Sequence, residues 1–251
     1  MTDPAPALEG MTSPFVAVRL RTTDTDAAGH FYGRVLGPGA RALIDAIPAD
    51  SAARGARPIW LGVVGTTDPG ATAAQLQTLG AMRLGPPASG ANNQTVSLWR
   101  DAGGAVFGLA GSATASRAAE AATPTDDSAT QRPVWQHLNC PVPSAASAMY
   151  RGAFGWRIAP SLERSNGLSV WPICARDGAA PFASLVDVSG LPDVHPHWLF
   201  HFEVPALDAA LATVRAEGGT VGPVSALPNG RWLAICDDPQ GAAFGLQSAQ
   251  R

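Results

Sequence analysis

Three of the five histidines of this chain fall within one short run, Asp193-Val194-His195-Pro196-His197-Trp198-Leu199-Phe200-His201. Imidazoles ligate metals and move protons near neutral pH, so this run is the first candidate for chemistry. In an extended segment, residues 195, 197, 199 and 201 point the same way, because strand side chains alternate. His197 and His201 would then be about 13 Å apart at about 3.3 Å per residue, too far to share an ion. His195 and His197 could chelate with Asp193 as an atypical metal site, but Pro196 suggests a sheet edge or a loop. His201 shares its parity with Glu203, and that pair is the candidate for acid–base work. The three cysteines, Cys140, Cys174 and Cys236, are scattered without a CxxC pair, which excludes a disulfide framework or a zinc ribbon. Cys140 lies three residues from His137 and on the other face of any strand, so the two cannot act together as nucleophile and base. A buried, inert thiol is expected there. There is no GxSxG elbow and no GxxxxGK[ST] loop, and Gly37-Pro38-Gly39 is too short for a dinucleotide fingerprint.

Composition narrows the field further. The 251 residues carry 17 basic side chains, all arginine, against 20 acidic ones, for a net charge of −3. Without a basic cluster, a nucleic-acid partner is not expected, since phosphate binding needs concentrated positive charge. No stretch reaches the ~18 apolar residues of a membrane span. The first 20 residues lack a basic start followed by an apolar run, and with the unpaired cysteines this gives the expectation of a cytoplasmic protein. Seven tryptophans are many for this length. Trp60, Trp198 and Trp232 are candidates for the wall of a small-molecule site, with Arg231 as an anion contact at its rim.

The elements that must position these residues come in a repeat. Gly111–Pro133 is rich in Ala, Ser, Thr and Pro and holds no large apolar side chain, so it reads as a linker with a short helical turn at Ala118–Ala122. On either side, the halves match in register. Strand Phe15–Arg21 and helix Asp26–Leu36 correspond to strand Val134–Cys140 and helix Ser144–Phe154, with Tyr32 matching Tyr150 and Gly37 matching Gly155. Asp26 and Ser144 are the expected N-caps, and the two glycines the expected helix ends. Pro58-Ile59-Trp60-Leu61 matches Pro196-His197-Trp198-Leu199, and further helices follow at Gly70–Leu79 and Leu207–Glu217. The period-2 runs Thr95–Trp99 and Arg231–Cys236 read as strands. The order is that of an α+β protein with helices covering one face of a mostly antiparallel sheet.

The segments Trp135-Gln136-His137-Leu138, Ala145-Ala146, Tyr150, Phe154-Gly155-Trp156, Phe202-Glu203-Val204-Pro205 and Asp237-Asp238-Pro239-Gln240-Gly241 resemble the vicinal-oxygen-chelate superfamily of glyoxalases, bleomycin-resistance proteins and dioxygenases. The resemblance implies two βαβββ modules, residues 12–110 and 134–248, forming one curved eight-stranded sheet around a cup. Many members of that superfamily hold a divalent metal there. Carried onto this sequence, the ligand positions fall on Gln136, Leu199 and Gly245, and in the first half on Val18, Leu61 and Gly108. If Gln136 points into the cup, His137 points away, whereas His201 and Glu203 line it with Leu199. One neutral amide cannot offset the dehydration of a divalent ion. The expectation is therefore a monomer or homodimer that binds a small organic molecule in an apolar cup, with no metal or other cofactor. The alternative is an enzyme of the same superfamily using His201 and Glu203 or an atypical metal site.

Overall fold

The computed structural model describes residues 14–89, 95–111, 132–163, 167–227 and 229–251. Nearly all of the linker, with its expected helical turn, lies outside them. The first half runs β1 (Phe15–Thr22), α1 (Thr25–Val35), a 3-10 turn (Pro38–Leu43), β2 (Ile44–Ala46), α2 (Ala49–Ala53), β3 (Ile59–Thr66), α3 (Pro69–Thr78), β4 (Met82–Arg83), β5 (Ala88–Ser89), β6 (Thr95–Arg100) and β7 (Val106–Gly111). The second half runs β8 (Pro133–Cys140), α4 (Pro143–Phe154), β9 (Arg157–Ile158), β10 (Leu162–Glu163), β11 (Ser169–Cys174), β12 (Pro181–Asp187), β13 (His197–Glu203), α5 (Leu207–Ala216), β14 (Thr220–Val221), β15 (Ser225–Ala226), β16 (Trp232–Asp237) and β17 (Ala243–Ser248). The main helices and strands fall within a residue or two of the positions read from the sequence.

Two capping details differ. Asp24, not Asp26, caps α1, accepting from the backbone N–H groups of Asp26 and Ala27. Helix α4 is capped two residues earlier than Ser144 predicts, at Val142, because Pro143 at its first position supplies a preset φ and has no N–H to satisfy. Gly155 ends that helix in the left-handed conformation at φ 69°, as its position implies.

The sheet is the main correction. Each half builds its own sheet, of seven strands in the first half and ten in the second among the described residues, instead of one eight-stranded sheet shared between them. In the second half, β12 runs parallel to β8, and β17 runs parallel to β13. The antiparallel pairing of β8 with β13 then joins two βαβββ units. The expected module at 134–248 is thus already a pair. The first half repeats this with β7 parallel to β3 and β1 antiparallel to β3, but its first unit is shortened to β1, α1 and the three-residue β2. The register is conserved between the halves: Arg19 pairs with Leu61 as His137 pairs with Leu199, and Val63 with Gly108 as His201 with Gly245.

The two sheets share one aromatic core. Phe15 of β1 meets Trp198, Phe200, Trp156 and Phe182 of the second half edge-on, at ring separations of 4.9–6.5 Å. Two hydrogen-bonded chains cross the joint in opposite directions. Trp60 Nε1 donates to the Tyr32 hydroxyl at 3.0 Å, and that hydroxyl donates to Asp238 of the second half at 3.1 Å. Trp198 Nε1 donates to the Tyr150 hydroxyl at 2.8 Å, and that hydroxyl donates to Asp101 of the first half at 2.9 Å. Burial, reinforced by the facing carboxylate, holds both phenols well above their usual pKa, so both remain donors. Each Asp also accepts two backbone N–H groups of its own turn, Gly103 and Ala105 for Asp101, Gln240 and Ala242 for Asp238.

Tyr32→Phe or Tyr150→Phe leaves a buried indole N–H and a buried carboxylate short of a partner. Each should cost about 1–3 kcal/mol, measured by urea denaturation. A loss below experimental error for both would show that the crossing chains do not hold the halves.

Candidate functional site

Because paired residues of neighbouring strands point to the same side of a sheet, the register fixes which side chains share a face. On β8, Gln136, Leu138 and Cys140 face the shared core, and Trp135, His137 and Asn139 face away from it. Gln136 is buried and donates its amide to the Phe182 carbonyl oxygen at 2.5 Å. This inverts the expected orientation: His137, not Gln136, occupies the outward face. The reason is apolar content, since the alternate set with Leu138 and Cys140 is the one that belongs in the core. Cys140 packs fully buried against Gly103, its thiol pushed up to about 11 by burial, which fits an inert side chain.

On β13, His197, Leu199, His201 and Glu203 share the outward face, as the parity predicts. The structure brings His137 and His201 together, with ring centroids 4.6 Å apart and planes at 80°. Gly245, carried over as a ligand position, is instead the floor beneath this pair. A Cβ there would lie 2.7 Å from Cγ and Cδ2 of His201, so a side chain would displace the ring. The side chain that reaches His201 from β17 is Gln247, whose amide nitrogen is 2.7 Å from Nδ1. An amide nitrogen only donates, so in this orientation Nδ1 accepts and the ring proton sits on Nε2. All three side chains are buried, His201 and Gln247 at 1% and 3% exposure.

Other candidates fall elsewhere. Trp60 and Trp198 are fully buried in the joint between the halves and hydrogen-bonded to Tyr32 and Tyr150, so they do not line this face. Trp232 lies on the core side of β16, since its neighbour Leu233 is the residue that pairs with Gln247, and Arg251 sits over its ring at 5.2 Å. Arg231 and Glu203 form an ion pair at 2.8 Å, with Glu203 45% exposed. The tryptophan that does share the site face is Trp135, paired with His201 across β8 and β13. His195 and His197 stack at 4.6 Å, but their other contacts are to protein: His197 Nδ1 donates to the His195 carbonyl at 2.8 Å, and Nε2 accepts from the Asn139 amide at 3.3 Å.

The sequence reading turned His137 away from the cup and did not consider Gln247. Strand parity carries the signal for both: Phe244 and Leu246 on β17, and Leu138 and Cys140 on β8, need the core, which leaves Gln247 and His137 on the opposite face.

A divalent ion at a site of this kind needs about three protein ligands, and two imidazoles with one carboxylate are a recurrent set. Here the third donor is a neutral amide already engaged with Nδ1, and the nearby Glu203 carboxylate is paired with Arg231. Among the described residues, no group of three or more His, Cys, Asp or Glu is placed to hold a metal. These donors do not fit the ion. In the first half, the matching register positions are Arg19, Val63 and Ala110, and Arg19 is tied to Asp45 at 2.8 Å.

The fold recurs in solved structures. A Mn(II)-bound glyoxalase from Novosphingobium aromaticivorans matches at a TM-score of 0.58 and 13% identity, over 94% of this chain and 81% of that one. A 2,3-dioxygenase from Pseudomonas sp. KL28 matches at 0.56 and 10%, over 94% and 91%. Homoprotocatechuate 2,3-dioxygenase from Brevibacterium fuscum, in complex with 3,4-dihydroxyphenylacetate, matches at 0.57 and 12%, over 94% and 80%. The fold is that of the vicinal-oxygen-chelate superfamily. No family model matches the sequence, and no curated protein does. At these identities the likeness establishes the vicinal-oxygen-chelate fold and leaves the chemistry to the residues. No helix among the described residues is long and apolar enough to cross a membrane.

Burial lowers the His197 pKa from 6.5 to about 4, partly offset by its bond to the His195 carbonyl. A base whose folded pKa is depressed binds its proton more readily when unfolded, so stability falls as pH drops from about 6.5 to about 4. The loss should approach ~3 kcal/mol for this buried group. Denaturation curves of the wild type and His197→Gln at pH 7 and pH 4.5 check this: the variant should show the smaller loss, and equal losses would remove His197 as the cause.

Proposed function

We propose that the chain binds a small organic molecule on the second-half face that carries His137, His201 and Gln247, and that it does so without a resident divalent ion. The observation behind this reading is the convergence of two imidazoles and an amide on a face where Leu199 and Leu233 supply apolar walls and Trp135 an aromatic one. Such a set offers hydrogen bonds to a neutral or weakly acidic oxygen, and the flanking side chains offer apolar contact. The small phenolic acid bound by the Brevibacterium protein of the same fold supports a ligand of that size. The chain's Arg231–Glu203 pair sits at the exposed margin of this face, where it orders the approach without itself providing a free charge.

A second reading keeps the ligand and adds turnover. The 4.6 Å approach of His137 and His201 would let one imidazole take a proton while the other donates. Glu203, engaged by Arg231, is then not the base.

Titration with hydrophobic aromatic acids and phenols, followed by tryptophan emission, tests the first reading. Trp135 lies beside His201 and should report binding. Removing one ligand hydrogen bond in His201→Ala should weaken affinity by about tenfold. An unchanged titration in that variant would place the ligand elsewhere, and product appearing in the wild-type mixture would favour turnover.

A further inference from the structure

The face built by β8, β13 and β17 holds two imidazoles 4.6 Å apart and, on the third strand, a side chain of carboxylate length that carries no charge. Each of the three comes from a different strand of one sheet, each is buried, and His201 stands between the other two, in contact with both. Glutamine and glutamate differ here by one group: an N–H that must donate is replaced by an anionic oxygen that accepts or ligates. We infer that residue 247 decides whether this face takes a divalent ion. With glutamine, the amide fixes His201 with its proton on Nε2, and the face serves hydrogen bonding to an organic ligand. With glutamate, the same positions offer two neutral imidazoles and one carboxylate, a set suited to Mn(II), Fe(II) or Zn(II). The first half has no such latency, because Arg19, Val63 and Ala110 stand at its equivalent positions. Gly245 belongs to the same arrangement: it leaves room for the His201 ring to lie flat against β17 within reach of residue 247.

This inference rests on the metal-free reading proposed above, and one experiment separates the two. Wild type, Gln247→Glu and Gln247→Glu/His201→Ala are freed of metal and titrated calorimetrically with Mn(II) and with Zn(II), their folding confirmed by circular dichroism and thermal melting. Groups that only orient metal ligands are worth about 10–100-fold in affinity, so a directly added carboxylate should tighten binding by ~100-fold or more. The expected result is no stoichiometric uptake by the wild type, one ion per chain for Gln247→Glu, and loss of that ion in the double variant. A wild type that itself takes up one ion per chain overturns the metal-free reading. A metal-free wild type together with a folded Gln247→Glu that gains nothing overturns the inference alone. Should Gln247→Glu fail to fold, Gln247→Asp and Gln247→His, which also bring a ligating group to the position, are titrated in its place, and no gain in either overturns it.

Discussion

Two buried tyrosine hydroxyls hold the molecule together. Each accepts from an indole of its own half and donates to a carboxylate of the other, so the two chains cross the joint in opposite senses. Neither aspartate could stay buried on its own, because a desolvated charge needs several donors to offset the loss of water. Each finds them in its turn's backbone N–H groups and in a phenol from the opposite half. The halves are therefore mutually required: each supplies the group that satisfies the other's buried carboxylate. Around this polar pair, Phe15, Trp156, Phe182 and Phe200 add the apolar area that makes the joint dry.

The joint also determines where chemistry can lie. With one face of each sheet committed to the aromatic core, the other face is the one on which the proposed ligand site lies. In the first half an ion pair between Arg19 and Asp45 occupies the equivalent position. The second half retains polar side chains there in depth, from Asn139 and His197 at one end to Gln247 at the other. Small departures from strict twofold likeness fit this division of labour. Gln240 reaches across to bond Thr22, Thr23 and Asp24, whereas the matching turn presents Gly103 to the Cys140 thiol.

Much of this was legible in the sequence. The self-similarity of the halves, anchored on Tyr32 with Tyr150 and Trp60 with Trp198, placed the main helices and strands because both copies obey the same periodicities. Trp60 and Trp198 were also read as candidate ligand contacts, whereas the structure buries both in the joint: equivalence between halves signals shared structure as readily as shared function. Strand pairing between distant segments leaves no local trace, so the presence of two sheets, and of two βαβββ units within the second half alone, could not be read from either half in isolation. On β8 the structure takes the other of the two possible faces, with Gln136 in the core and His137 opposite. A strand gives two choices of face, and the choice made from family resemblance conflicted with the simpler fact that Leu138 and Cys140 need the core. The face His201 takes, by contrast, agrees with the parity read from the sequence, since Trp198, Phe200 and Phe202 form an unambiguous apolar set on its strand.

Strand β13 serves two masters along its seven residues: Trp198, Phe200 and Phe202 knit the halves, and His197, Leu199 and His201 look the other way. A single inserted or deleted residue within it would swing every imidazole inward and every ring outward. Assembly of the halves and the proposed ligand contact would fail in the same event, so natural length variation in this protein should be confined to the connections on either side of that strand and absent from its interior.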